Sequence, residues 1–188
     1  IAQLLLGAAW IPMWYFLNLY LQQVLGYGAF ASGAALLPMT LMIMLLMIVV
    51  APRVIARFGF KAPIIAGLLM LAAGLVWLSF IRPSGNFVVD VLPASLVAAT
   101  EEGGLASGIV NTTYQVGSAL GLAAMTALAA SQGADSLGNP DALTSGFSAA
   151  FLGAAGIAVV GAAVAAVTLK QPGASPIEVG SPEPAESV

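Results

Sequence analysis

The chain has 188 residues, of which 60% are hydrophobic and only 7% are charged, and its formal net charge is −3. A soluble domain carries about 25% charged residues, so five Lys or Arg and eight Asp or Glu cannot cover a water-facing surface of this size. The composition therefore excludes an ordinary soluble protein and predicts a lipid-facing surface. No basic stripe is present, which argues against nucleic acid as a partner, and histidine and cysteine are both absent.

The first charged residue is Arg53, and the uncharged run before it is too long for one helix. A turn-prone stretch rich in glycine and alanine, residues 26–33, divides this run. We predict a helix over about residues 3–25 and a second over about residues 32–55. Each exceeds the roughly 20 residues that a helix needs to cross a hydrocarbon core of about 30 Å.

Arg53, Arg57 and Lys61 cluster around Gly59 and form the only concentrated positive charge in the sequence. Loops rich in Lys and Arg lie on the cytoplasmic side of membrane proteins. We therefore expect this loop to be cytoplasmic and the first helix to begin on the cytoplasmic side. The uncharged residues 62–81 after the loop predict a third helix.

Residues 87–100 form a shortened hydrophobic segment that follows a turn at Arg82 and contains Asp90 and Pro93. At about 1.5 Å per residue this segment reaches only about 21 Å, and its length alone leaves open whether it crosses the membrane. Asp90 has two interpretations: a water-facing position at the end of the segment, or part of a proton route. Pro93, like Pro38 in the second helix, predicts a kink.

Two further helices are predicted over about residues 105–131 and 145–169, separated by a loop rich in Gly, Asp, Asn and Pro. Residues 170–188 are rich in Pro, Ser, Gly and Glu, so we expect a disordered cytoplasmic tail. The predicted fold is all-α, a polytopic bundle of transmembrane helices with one shortened member. Because the sequence opens inside a hydrophobic run, we expect it to be truncated from a longer protein.

The first helix carries aromatic and amide side chains at four-residue intervals, namely Trp10, Trp14, Asn18 and Gln22. This spacing predicts a slowly drifting stripe on one helix face. Polar groups are costly inside lipid, which makes such residues functional candidates. The stripe suits a cavity for bulky, partly apolar molecules. The alternative is that Trp10 packs in the interior and Gln22 lies at the membrane interface.

A second polar stripe lies on the fifth segment, where Asn111, Gln115 and Ser118 are spaced i, i+4 and i+7. These side chains either bond neighbouring helices to one another or line a water-filled cavity, and the two roles can coexist. Glycines at short intervals predict close helix packing; they are Gly104 and Gly108, Gly117 and Gly121, and Gly153, Gly156 and Gly161 in the last helix.

No catalytic or cofactor motif occurs in the sequence. It contains no G-x-S-x-G elbow, no H-E-x-x-H, no P-loop and no G-x-G-x-x-G. No metal site or cofactor is predicted, and an intramembrane enzyme is disfavoured because it would need acids or histidines that this chain lacks.

Several runs resemble a known family. Residues 16–27, FLNLYLQQVLGY, resemble the segment that opens the C-terminal six-helix half of major facilitator superfamily exporters, in particular the fourteen-helix drug:proton antiporter branch. Residues 31–38 fit the next helix, and residues 53–61 resemble the basic cytoplasmic loop that follows it. Residues 104–121, GLASGIVNTTYQVGSALG, closely resemble the penultimate helix of that branch.

The resemblance implies the superfamily fold in a bacterial inner membrane and export of small molecules by alternating access, driven by protons. Together with the two polar stripes, it leads us to expect that the substrate-binding residues are Trp14, Asn18, Gln22, Asn111 and Gln115. The residues implied for the cytoplasmic loop motif are Arg53, Arg57, Gly59 and Lys61.

Two departures from the family pattern are expected to matter. The N-terminal half, with the proton-coupling acid of the family, is missing. About 20 residues, one membrane span, are also absent between Asp90 and Gly104. A non-transporting membrane scaffold or a degenerate transporter remnant is therefore the alternative.

Overall fold

The computed structural model describes residues 2–59, 61–99 and 111–169, and every regular element in these ranges is helical. Eight α-helices follow one another: α1 Ala2–Leu19, α2 Ala29–Ala35, α3 Leu37–Leu45, α4 Ala51–Phe58, α5 Lys61–Leu78, α6 Leu92–Ala99, α7 Asn111–Ser131 and α8 Pro140–Thr168. The prediction of an all-α transmembrane bundle is confirmed. Residues 105–110 of the predicted fifth helix, Gly104 and the predicted tail lie outside the described ranges.

Four continuous spans in the described ranges are long and apolar enough to cross a bilayer. They are Gln3–Val24, Ala29–Phe58, Lys61–Leu78 and Pro140–Thr168, and Phe87–Ala99 is a shorter apolar helix. α7 is 21 residues long but less apolar, because its first turns carry polar side chains. One side of those turns packs against α1, whereas Gln115 is exposed on the other side.

Three π-helical turns, Tyr20–Val24, Leu46–Val50 and Phe87–Val91, interrupt or extend the α-helices. Two of them end two residues before a proline, Pro52 in one case and Pro93 in the other. Proline donates no backbone hydrogen bond, and its ring clashes with the carbonyl four residues back. The wider π turn relieves this conflict, so Pro93 is accommodated by a local change of helix type.

The long span Ala29–Phe58 is interrupted a second time between α2 and α3. Leu36 lies at the edge of the helical region (φ −87°, ψ −6°), and Pro38 follows in the first turn of α3. The Leu36 N–H donates to Gly33 O at 3.2 Å, a tighter turn than in an α-helix. The kink that the sequence predicts at Pro38 therefore falls just before this proline.

α8 begins at Pro140, five residues before the start expected from hydrophobicity. Asn139 caps it, because its Oδ1 accepts from the backbone N–H groups of Asp141 and Ala142, both at 3.2 Å. Pro140 suits the first helical position, and the Asp141 carboxylate opposes the positive end of the helix dipole.

α1 lies at the centre of the bundle and packs against both α7 and α8. α8 also packs against α5 and α7, α5 packs against α6, and α6 packs against α3. Inside the protein, 61% of the Gln3–Val24 window is buried, against 17% for the Ala29–Phe58 window. The α2–α4 span is therefore peripheral and largely open to lipid.

The contact between α1 and α7 is made by the two backbones. A Cβ added to Gly117 would overlap the backbone of Leu4, and one added to Gly121 would overlap the backbone of Ala8. The residue numbers in the two helices increase in the same direction along this contact, so α1 and α7 are parallel. Pro12 has no N–H to donate to the Ala8 carbonyl, and Gly121 packs against that carbonyl.

The expected close packing is confirmed at Gly117, Gly121 and Gly153, where a Cβ on Gly153 would lie 2.6 Å from the sulfur of Met125. Gly156 was predicted to pack in the same way. This prediction is wrong, because Gly156 is exposed and a Cβ there would meet nothing within 4 Å.

α8 runs antiparallel to α1 and α5. Gly161 lies beside Leu5 and Leu68, whereas Ser148 Oγ donates to Ser79 O at 2.7 Å near the other end of α5. The bundle thus has a basic end, defined by Arg53, Arg57 and Lys61, where α1 and α5 begin. The acidic end carries Arg82, Asp90, Asp135 and Asp141 and includes the hairpin after α1.

Arg82 and the start of α7 lie at opposite ends of the bundle. Arg82 lies at the acidic end, because its carbonyl accepts a hydrogen bond from Tyr20 Oη at 2.7 Å. α7 begins at the basic end because it runs parallel to α1. The chain therefore passes from one end of the bundle to the other between Arg82 and Asn111.

We predict that Gly121→Ala destabilises the protein by about 1–3 kcal/mol, because the new methyl group forces two backbones apart. The measurement is denaturant unfolding in detergent micelles, followed by circular dichroism. Gly156→Ala is the matched control and leaves stability equal or up to about 1 kcal/mol higher, because alanine favours the helix. Equal effects of the two changes would contradict the close α1–α7 contact.

The absence of cysteine permits a direct test of which loops share an end. We predict that Ser84→Cys and Ser136→Cys react with a membrane-impermeant maleimide from one side of the membrane, and Ala56→Cys from the other. Labelling of intact cells and of inverted vesicles distinguishes the sides. Labelling of Ser84→Cys and Ala56→Cys from the same side would contradict the arrangement of the bundle.

Candidate functional site

The aromatic and amide stripe of α1 runs from the core to the surface. Trp10 is buried and packs edge to face against the half-buried Trp14, with ring centroids 6.0 Å apart and planes at 78°. Asn18 and Gln22 are exposed, and Gln22 Nε2 donates to Asn18 Oδ1 at 2.9 Å. The stripe therefore drifts as its four-residue spacing predicts, with Trp10 packed inside and the amides accessible.

A cleft of about 390 Å³ opens where α2 folds back against α1, and we call it the α1–α2 cleft. Trp14 and Asn18 both line it, whereas Gln22 lies one turn beyond it. Its full lining is Ile11, Trp14, Tyr15, Asn18, Ala29, Ser32, Gly33, Leu36 and Leu122. The cleft thus combines aromatic rings with a few uncharged polar groups.

The sequence did not single out the remaining polar members of this cleft. Tyr15 is partly exposed, and its ring is held edge to face against Phe16, with centroids 5.2 Å apart. Ser32 is buried, and its Oγ donates to Ala29 O at 3.0 Å. Tyr15 adjoins the predicted stripe and could have been found, but Ser32 joins the site only because α2 folds back.

Gln115 and Asn111 lie in the first turns of α7, at the basic end, far from the cleft. Leu4 is level with Gly117, so in these parallel helices Gln115 is level with about residue 2 of α1. Asn18 lies about 16 residues further along, which is about 24 Å along the helix axis. Gln115 is exposed, and the side chain of Asn111 falls outside the description. The structure therefore places the two predicted groups at opposite ends of the α1–α7 pair.

Gln115 and the cleft nevertheless share one face of α7. Gln115, Ala119 and Leu122 are spaced by four and three residues, which puts them on the same side of the helix, and Leu122 lines the cleft. Ser118 lies at the buried edge of this face, and its Oγ donates to Tyr114 O at 2.8 Å. Ser118 thus serves helix packing rather than the polar face.

The basic end is organised by a glycine turn. α4 ends at Gly59, whose positive φ of 69° is easily reached only by glycine. Arg53 and Arg57 are exposed on α4, and the guanidinium of Arg57 lies 5.5 Å from the ring centroid of Phe58. Lys61 opens α5 directly after this turn. Three cations therefore crowd a short junction whose shape depends on Gly59.

Asp90 takes part in a reciprocal cap at the acidic end. Its Oδ2 accepts from the Asn86 N–H at 2.7 Å, and Asn86 Oδ1 accepts from the Val88 N–H at 2.9 Å. The hydrogen bond from Tyr20 to Arg82 secures the neighbouring turn. This geometry favours the interpretation of Asp90 as an end position that closes a helix.

Lipid-facing helices around an aromatic and amide cleft define a multi-pass membrane protein suited to small-molecule transport. Comparison of sequences supplies the family. The profile of the MFS_1 like family matches residues 1–131, and the chain belongs to this family of the major facilitator superfamily. The predicted superfamily membership is confirmed, and it places the chain among transporters rather than enzymes.

The relatives that the chain resembles are antibiotic export and resistance proteins. The cephamycin export protein CmcT of Amycolatopsis lactamdurans is 32% identical, over 89% of this chain and 37% of the relative. The puromycin resistance protein pur8 of Streptomyces alboniger is 28% identical, over 88% of this chain and 39% of the relative. The tetracenomycin C resistance and export protein of Streptomyces glaucescens is 31% identical, over 72% of this chain and 28% of the relative.

The chain spans well under half the length of these relatives. The cephamycin alignment runs over 187 positions, whereas 89% of 188 residues is about 167 residues. About 20 aligned positions are therefore gaps in this chain. That number is about one membrane span, and the loss of a span between Asp90 and Gly104, expected from the family resemblance, stays a prediction.

The two interpretations of Asp90 differ in their response to substitution. We predict that Asp90→Asn keeps the free energy of unfolding within about 0.5 kcal/mol, because its amide oxygen still accepts from the Asn86 N–H. Asp90→Leu leaves that donor without its acceptor and costs about 1 kcal/mol. Unfolding in micelles measures both variants. Equal stability of Asp90→Leu and the unchanged protein would contradict a capping role.

Proposed function

We propose that this chain forms the C-terminal half of a bacterial inner-membrane drug exporter of the fourteen-helix branch, which moves small molecules by alternating access driven by protons. The family and the export functions named for two relatives support transport. The resemblance of residues 16–38 and 104–121 to the antiporter branch supports the finer assignment.

The observation that carries the proposal is the unequal polarity of the exposed helix faces. The exposed face of α1 presents Asn18 and Gln22, and that of α7 presents Gln115. The outer faces of α3, α5 and α8 carry no exposed amide and are mainly apolar, with exposed residues such as Leu41, Met44, Leu69, Met70, Val76, Leu152, Val159 and Val160. Amides facing hydrocarbon are costly, so the α1–α7 face suits a water-filled path or the opposing half of a transporter.

Along this face the polar groups mark a path between the two ends of the bundle. Gln115 stands near the basic end, and Leu122, about 11 Å further along α7, opens onto the α1–α2 cleft with Trp14 and Asn18. In alternating access, a central site opens first to one side and then to the other. We assign Trp14, Asn18 and Gln22 to the outer part of the path and Gln115, with Asn111, to the inner part.

The basic end is assigned to the cytoplasmic side. Arg53, Arg57 and Lys61 all lie there, which fits the positive-inside rule, and we propose that they help to close that side. Asp90 caps a helix, so we assign the coupling proton to an acid in the N-terminal half of the transporter.

A non-transporting scaffold is the second candidate, and the gap of about 20 positions in the cephamycin alignment favours it. A lost span would remove one helix from the packed half. Such a chain would insert into the membrane and fold without moving a substrate.

A fusion separates the two candidates. We predict that this chain, joined to the N-terminal part of the cephamycin relative, restores efflux and resistance in a strain without its own exporter. Asn18→Leu and Gln115→Leu each lower the efflux rate about tenfold, the equivalent of one lost hydrogen bond.

Gln23→Leu is the matched control, because Gln23 is an exposed amide on the π-helical turn that extends α1 but lies outside the cleft. This control should leave efflux unchanged. A fusion that reaches the membrane in normal amounts and exports nothing would overturn the exporter and support the scaffold.

A further inference from the structure

We propose that the α1–α2 cleft selects uncharged aromatic molecules that carry a hydrogen-bond acceptor such as a ring carbonyl. This inference deepens the proposed function, on which it rests for the idea that the bound molecule is cargo. It is carried by three properties of the cleft: its lack of charge, the direction of its hydrogen-bond donors, and its fixed aromatic walls.

The first property is the absence of formal charge among the described residues that line the cleft. Taking an ion out of water into such surroundings is costly unless an opposite charge compensates it. A carboxylate or an ammonium group would find no such partner on these walls. Neutral molecules therefore enter at the lowest cost.

The second property is the orientation of the Asn18 amide. Its Oδ1 accepts from Gln22 Nε2 at 2.9 Å, so the amide oxygen is engaged toward the acidic end. Its Nδ2 donates to no partner among the described residues. Trp14 Nε1 is a donor only, and the Ser32 hydroxyl is engaged with Ala29 O. Ser32 Oγ keeps its acceptor capacity but is only 1% exposed, and the Tyr15 hydroxyl can donate or accept. The accessible groups of Asn18 and Trp14 that remain are donors, so a ligand that binds them must supply an acceptor.

The third property is that the aromatic walls are held in place by neighbouring rings. Trp14 packs edge to face on Trp10, and Tyr15 packs edge to face on Phe16 with planes at 82°. Walls that are already fixed lose little conformational freedom when a ligand binds. They favour a flat ring system that can stack or pack edge-on against them.

A cation attracted to the face of Trp14 is the competing possibility. It leads to the opposite charge preference, because a cationic ring system would then bind more tightly than its neutral counterpart. A set of three-ring molecules with nearly the same shape separates these outcomes. 10-Methylacridone, called acridone below, is neutral and has one ring carbonyl and no N–H. Anthracene is neutral without an acceptor, and 10-methylacridinium is cationic.

The experiment measures equilibrium binding of each probe to the full chain in lipid nanodiscs, after subtraction of binding to empty discs. We expect acridone to bind about tenfold more tightly than anthracene, the equivalent of one hydrogen bond, and at least about tenfold more tightly than 10-methylacridinium. Binding of 10-methylacridinium equal to or tighter than that of acridone would overturn the inference.

Two variants test whether the higher affinity for acridone arises from the Asn18 amide in the cleft. Asn18→Leu should lower acridone affinity about tenfold and leave anthracene unchanged, and retained anthracene binding shows that the cleft has folded. Gln23→Leu should change neither probe. Equal loss of acridone and anthracene binding in Asn18→Leu, or no loss of either, would contradict the assigned donor.

This test is independent of export. If the fusion exports its cargo while acridone shows no advantage over the other probes, the proposed function stands and the selectivity is wrong. If acridone binds as expected and the fusion exports nothing, the cleft is a binding site in a chain that does not transport.

Discussion

The contact between the backbones of α1 and α7 sets the positions of the other functional elements. Gly117 lies against Leu4, and Gly121 against Ala8, so the two helices are parallel and no side chain separates them at these levels. This register brings Leu122 beside Ile11 in the α1–α2 cleft. It also leaves Gln115 near the opposite end of the pair. Glycine is required at these positions because any larger residue would move α7 away from α1 and out of the cleft.

The rest of the bundle follows from where polar groups can be placed in a membrane. α8 and α5 pack against α1 with small and apolar residues, and the buried hydroxyls of Ser95, Ser118 and Thr144 are satisfied by carbonyls three or four residues back in their own helices. Exposed amides are found on α1 and α7, and charged residues at the two ends of the bundle. A lipid-facing exterior and one face with exposed amides are thus produced by the same chain.

Much of this organisation could be predicted from the sequence, because uncharged windows of bilayer length determine the spans. The α1 stripe was predictable because a four-residue period survives in the folded helix. Hydrophobicity alone predicts that α8 starts at about residue 145. The helix starts at Pro140 instead, because the Asn139 cap stabilises an additional, more polar turn. Ser32 and Leu122 could not be found, since their place in the cleft depends on how α2 folds back and on the α1–α7 register. The same register, invisible in the sequence, separates Gln115 from Asn18.

The distance between spin labels at Asn18 and Gln115 tests the parallel α1–α7 register most directly. Both residues are exposed, and the sequence has no cysteine to remove before Asn18→Cys and Gln115→Cys are labelled. Pulsed electron paramagnetic resonance on the chain in nanodiscs should give a separation of about 24 Å, which is 16 residues of helical rise. A separation of less than about half that value would place the two amides at one level and contradict the arrangement.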